Sequence, residues 1–129
     1  MSSHLTEQLG LHTWEPEDKF LRSEFNENFE MLDGILVTGS FTGDDQPGRF
    51  IDLGFTPRAV LVLRGGTMTA TNTYIGGGLA LPGSPAYSAA YPLMEVVEGG
   101  FRLHGERSSS SFSNTVNHTS YYYNYLALR

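Results

Sequence analysis

Cysteine is absent from the 129 residues. Its absence excludes a disulfide framework, a thiol nucleophile and any thiolate-held zinc or iron–sulfur centre. The compartment stays open, because a protein released by cell lysis needs no disulfides either. Basic residues are scarce: 8 Lys and Arg face 14 Asp and Glu, and the net charge of −6 argues against a nucleic-acid partner, which calls for a basic footprint. Long apolar runs are missing as well. None approaches the roughly 18 residues of a membrane span, so no membrane insertion is expected. The opening Met1-Ser-Ser-His-Leu-Thr-Glu has neither the basic n-region nor the apolar run of a signal peptide. Hydrophobic residues make up 40% of the chain, below the roughly 45–50% of average globular chains, which leaves a modest core. What is plentiful is glycine, at 15, and aromatic side chains, at 8 Phe and 7 Tyr with Trp14. The length suits one domain at most, with an appendage.

Composition changes near Gly34. Residues 1–15 show little periodicity and read as an N-terminal arm. From Pro16 onward Phe20, Leu21, Phe25, Phe29 and Leu32 recur at steps of three and four, the spacing of an amphipathic helix. Pro16 suits a first turn, Glu17 and Asp18 suit the positive end of the helix dipole, and Gly34 suits the stop. An assembly helix over residues 16–34 is the expectation.

Beyond Gly34 the period drops to two. Ile35, Val37 and Phe41 share one face, Gly43-Asp-Asp-Gln-Pro-Gly forms a turn, and Ile51, Leu53 and Phe55 share the next face. Ala59-Val-Leu-Val-Leu is a continuous apolar run, the pattern of a strand buried on both faces. Leu93 to Glu98 and Phe101 to His104 flank Gly99-Gly100, read as a two-residue hairpin loop. Ser120 to Leu128 is the last strand. Residues 65–92 are rich in Gly, Thr, Pro and Tyr and read as long loops with short strands. There is no clear internal repeat. Short strands at this spacing predict a mainly β chain whose residues 35–129 form an antiparallel β-sandwich.

Two stretches resemble a known family. Asp18-Lys-Phe-Leu-Arg-Ser-Glu-Phe-Asn-Glu-Asn-Phe-Glu-Met-Leu-Asp is similar to the short helix near the start of many phage and prophage tail-fibre-type proteins. Ile35-Leu-Val-Thr-Gly-Ser-Phe-Thr-Gly-Asp, Ile51-Asp-Leu-Gly-Phe-Thr-Pro-Arg-Ala-Val-Leu-Val and the closing Tyr-Tyr-Tyr-Asn-Tyr-Leu-Ala-Leu-Arg look like the β domain that follows it. The similarity covers most of residues 18–63 and 93–129. The chain departs from it at Asn124, where an aliphatic residue is usual. The resemblance implies a homotrimeric virion component, in a tail or fibre, with a surface-receptor or carbohydrate role.

Catalytic patterns are weak. Glu95 and Glu98 lie three apart on a strand and so point to opposite faces. Asp44 and Asp45 sit in a turn, where Asp serves turn chemistry. Serines 108–111 form a polar loop, and no Gly-x-Ser-x-Gly is present. No enzyme and no cofactor are expected. His4, His12, His104 and His118 are scattered, without the spacing that joins two imidazoles on a metal. A threefold axis would gather three copies of one residue such as His118, but an exposed polar role is commoner, so no metal is expected. Gly76-Gly77-Gly78 lacks the Gly-Lys-Ser/Thr of a phosphate loop. Asn117-His118-Thr119 fits a glycosylation triplet, which carries no weight without a secretory signal.

Leu21, Phe25, Asn28 and Leu32 follow steps of four, three and four, a heptad seam with one polar member. They are the expected oligomer interface of a homotrimer, against the plainer role of a helix packed on its own β domain. About two heptads are too few to hold three chains alone. Tyr74, Tyr87, Tyr91, Tyr121 and Tyr123 sit among Ser, Thr and Asn, a composition of binding surfaces, and are the candidate ligand-binding residues. Packing between subunits would use them equally well. The combined expectation is a phage particle protein that attaches without breaking bonds, through residues 1–15 to other virion proteins and through its tip to a host surface glycan. A free-standing lectin-like module is the alternative, and a glycan-cleaving enzyme a third.

Overall fold

A computed structural model of the chain describes residues 1–66, 76–88, 91–104 and 116–129. It divides into two units, Met1–Ile35 and Leu36–Arg129. Charge divides with it. Residues 1–35 carry eight acidic and two basic side chains and the rest of the chain six of each, so the whole net charge of −6 belongs to the first unit.

In the first unit, β1 (His4–Leu5) and β2 (His12–Thr13) pair antiparallel, and α1 runs over Arg22–Asp33. The segment joining the strands closes on Thr6, whose N–H donates to the Leu11 carbonyl while its hydroxyl accepts the Leu11 N–H. The helix is shorter than its periodicity predicts, because Pro16 and Glu17 lie in a turn ahead of it. The Asp18 carboxylate is spent there, accepting the N–H groups of Ser3 and Glu15 and the Ser3 hydroxyl, so it opens no helical turn. Phe20 therefore precedes the helix, and Leu21 is an extended N-cap whose side chain offers no cap. Gly34 ends α1, its N–H reaching the Glu30 carbonyl. A helix of 12 residues is marginal by itself in water, so its partners within the unit matter.

The second unit is mainly β. Strands β3 (Leu36–Thr42), β10 (Tyr122–Leu128), β5 (Ala59–Arg64) and β6 (Gly77–Ala80) form one four-stranded sheet in the order β3-β10-β5-β6. Strands β4 (Arg49–Asp52), β9 (Gly100–Leu103), β8 (Tyr91–Val97) and β7 (Ala86–Ser88) form a second in the order β4-β9-β8-β7. Pairing between neighbours is antiparallel in both. The final strand is central: Tyr122 to Leu128 pairs with Thr42 to Leu36 on one side, and Tyr123 to Leu128 with Arg64 to Ala59 on the other.

One core serves both sheets. Val60, Val62, Ala80, Tyr123 and Ala127 come from the first sheet and Ala86, Leu93, Met94, Phe101 and Leu103 from the second. Phe41 stacks on Tyr123 at 5.3 Å within the first sheet, and Phe101 of the second meets the Tyr125 ring edge-on at 5.4 Å, an aromatic contact between the sheets. Two local expectations change. The hairpin loop between β8 and β9 is Glu98-Gly99, since Val97 pairs with Gly100. Gly99 takes the positive φ of 83°, while a Cβ on Gly100 would lie 2.0 Å from the Ile51 carbonyl oxygen, so close strand approach requires that second glycine. The run Ala59–Leu63 is buried on one face only: Val60 and Val62 enter the core, while Leu61 and Leu63 point outward, 37% and 39% exposed.

Candidate binding surface

The arm is fastened to the helix through polar groups. Glu24 is buried, 8% exposed, and its Oε2 accepts the Ser2 N–H at 2.8 Å and the Trp14 indole N–H at 3.2 Å. One turn on, the Asn28 amide brackets the His12 backbone, its Oδ1 accepting the His12 N–H at 2.7 Å and its Nδ2 donating to the His12 carbonyl at 2.9 Å. The His12 ring completes the fastening, with Nδ1 at 2.6 Å from the Ser2 hydroxyl and Nε2 at 3.0 Å from a Glu27 carboxylate oxygen. Serine, histidine and carboxylate are thus in sequence, as in a hydrolase triad. The ring nitrogens are reversed relative to that template, in which the acid holds Nδ1 and the serine faces Nε2. Glu27 is also mostly exposed, so the chain of contacts acts as a staple.

This fastening uses one flank of α1 and leaves another open. Of the expected seam residues, Leu21 is half-buried at the N-cap, and Phe25 and Leu32 are exposed. Asn28 is half-buried, with one lone pair of its Oδ1 and one N–H of its Nδ2 engaged by the His12 backbone, so its amide is oriented within its own unit. The uncovered stripe instead includes Phe29, 57% exposed, in edge-to-face contact with Phe25 at 4.8 Å. Phe20 continues the aromatic row, 5.3 Å from Phe25 and 5.0 Å from Trp14. Glu24 is an anchoring residue that the apolar periodicity does not single out. Its spacing of four from Asn28 was legible, but a polar pair at that spacing ordinarily marks a solvated face.

The candidate tyrosines separate by strand register. Tyr123 is in the core, 1% exposed, with its hydroxyl accepting the His118 N–H at 3.2 Å, and burial raises its pKa. It cannot touch a ligand in this fold. Tyr121 is half-buried beside the core, with the Arg64 guanidinium 4.5 Å over its ring. Tyr87 and Tyr91 are exposed on neighbouring strands of one hairpin. Tyr74 lies outside the described residues, as do the serines 108–111. The reason for the split is the period of two: in β10 the odd residues face the core, and Tyr122, Asn124 and Leu126 face out. Asn124 is therefore an outward position, opposite Ser40 and Leu63.

The Asn117 triplet also has a structural task. Asn117 is fully buried, and its Oδ1 accepts from the Asp44 N–H at 3.2 Å and Arg49 Nη1 at 3.0 Å. Its Nδ2 donates to the Asp44 carboxylate at 2.7 Å and the Gln46 carbonyl at 3.0 Å. All four bonding positions are used, so the amide is closed to glycosylation, and the 43–48 turn is pinned to the segment before β10. The N–H of Gln46, then Asn117 and Arg49, hold Asp44 below its ordinary carboxylate value. His118, expected at the surface, is buried; its Nδ1 accepts the Ser120 N–H at 3.0 Å. Glu95 pairs across the hairpin with His104 at 3.3 Å. Among the described residues no group of three His, Asp or Glu could hold a metal ion, and no helix is long and apolar enough to cross a membrane. The chain matches no protein-family model, no curated protein and no solved structure.

Proposed function

We propose that the chain is a structural or attachment component of a phage particle, in a tail or fibre, working as a homotrimer and binding without breaking bonds. The observation that carries this reading is the first unit. Units below about 40 residues usually need disulfides, metals or association to be stable. Met1–Ile35 has no cysteine, is stapled by polar contacts, and leaves Phe20, Phe25, Phe29 and Leu32 exposed. Such a surface is suited to being covered by another protein of the particle. The sequence resemblance of residues 18–63 and 93–129 to tail-fibre-type proteins supports the same assignment. Exposed Tyr87 and Tyr91 suit stacking on the apolar face of a sugar, and they equally support the rival, a free-standing lectin-like module.

The test is incorporation. The wild-type chain should sediment with purified particles, whereas the double variant Phe25→Asp, Phe29→Asp should keep the melting temperature of the β unit and be missing from them. Normal incorporation of the variant overturns the role of the helix. Glycan-array binding by the purified chain, lost in Tyr87→Ala or Tyr91→Ala, with no protein in particles, would establish the lectin-like module instead.

A further inference from the structure

The outward face of the β3-β10-β5-β6 sheet is apolar at its centre. Leu79, Leu61 and Leu126 stand directly opposite one another across β6, β5 and β10. Leu63 and Leu36 lie on the flanking rows, and all five leucines are exposed. Thr38, Ser40 and Asn124 border them, next to Leu126 on β3 and beside Leu63 on β10. None of these eight residues carries a charge. An apolar centre with an uncharged polar rim is the anatomy of a protein–protein interface. Four strands about 4.8 Å apart, with some six residues each at about 3.3 Å, give a footprint of roughly 350 Å² before side-chain relief. With its polar rim counted, that footprint falls within the roughly 300–600 Å² of the largest patch on a typical single chain, which is often functional, and it is a sizeable part of the roughly 800 Å² each partner gives to a standard interface.

We infer that this sheet face is where copies of the chain meet one another, and that the helix stripe is left for a different protein. The inference rests on the homo-oligomeric part of the reading above. Charge decides between the two surfaces. The first unit carries the entire net charge of −6, so bringing copies together there sets like charges against each other. The Leu36–Arg129 unit has as many basic as acidic residues. Its outward sheet centre can be buried against a copy of itself without desolvating an ion. The continuous run Ala59–Leu63 agrees: a strand apolar on both faces is explained when its second face is covered in the assembly.

The experiment is sedimentation velocity on the full chain over a concentration series. The wild type should be oligomeric. Leu126→Glu should shift it to monomer, weakening association at least 100-fold, while Phe25→Asp should stay oligomeric. The conservative pair Leu61→Thr with Leu126→Thr keeps β propensity and should weaken association in the same direction, which covers a misfolded Leu126→Glu. If the sheet variants fold and remain oligomeric, the inference falls while the homo-oligomer stands. If Phe25→Asp alone dissociates the chains, the helix is the self-contact and the inference is wrong. A wild type that is monomeric at every concentration overturns the homo-oligomeric reading itself, and this inference with it.

Discussion

Each unit is stabilised internally by different means. In Met1–Ile35 the groups that hold the arm are polar, Glu24 and Asn28, while Phe25, Phe29 and Leu32 are exposed. In Leu36–Arg129 the order is the usual one, with Val60, Val62, Phe101, Leu103 and Tyr123 fully enclosed between two sheets. The first unit gains directional bonds worth about 0.5–1.5 kcal/mol each, more where Glu24 supplies a charge. The second gains about 25 cal/mol per Å² of apolar surface removed from water. A unit held by few directional bonds keeps its apolar groups for a partner, whereas one held by its core has already used them. The contrast therefore separates a piece suited to docking from a piece suited to standing alone.

The comparison can be broken from its stronger side first. Phe101→Ala should cost the β unit about 3–5 kcal/mol, because the ring is fully enclosed and meets both Phe41 and Tyr125. Near-ultraviolet circular dichroism of the tyrosines should show an early transition. Trp14 is the one tryptophan and lies in the first unit, so its fluorescence should not follow that transition; if it does, the units are not independently held.

Glu24→Ala should do the reverse at smaller scale. It removes the acceptor of the Ser2 and Trp14 N–H groups, a loss of about 1.5–3 kcal/mol for bonds to a charged group. Trp14 emission should move to the red and chymotrypsin, for which Leu9, Leu11 and Trp14 offer sites, should reach the arm, while the tyrosine transition of the β unit stays in place. An unchanged Trp14 signal would mean that the arm is held by other contacts.

Acid should give the smallest effect. The Ser3 hydroxyl and then the Glu15 N–H hold Asp18 below its ordinary value of 3.8. A depressed carboxylate contributes stability that is complete above the unfolded value and is lost as pH falls through the folded one. Lowering the pH below about 4 should thus loosen the Ser3–Asp18 contact, read from the amide resonances of Ser3 and Glu15, which donate to Asp18, and Asp18→Asn should flatten that response. In the β unit Asp44 is lowered as well, but the apolar core should keep its transition cooperative over the same range.

Much of the β unit was legible because its information is local and periodic. Alternation places Val37, Phe41, Ile51, Leu53 and Phe55 against the core, and the Tyr-rich end of the chain is a strand. The position of that strand was not legible. Nothing in Tyr121 to Leu128 says that it pairs with both β3 and β5, and only the packing of the second sheet on one face sends Tyr123 inward and leaves Asn124 out. The helix had the same limit. Spacing located its apolar stripe, but whether Asn28 faced an axis or the backbone of His12 depended on where residues 12–13 folded back.

Composition, charge and period were thus determined by the sequence itself: no thiol chemistry, an acidic N-terminal part, one short amphipathic helix and a train of short strands. These are properties of each residue or of its nearest neighbours along the chain. Tertiary structure alone decided which side of each element is covered, and so closed Asn117 and His118 into a turn and opened Leu61, Leu79 and Leu126 to the outside. Burial depends on residues far apart in sequence meeting in space, and a hydrogen bond such as Asn117 to Asp44 spans 73 positions that no local pattern encodes.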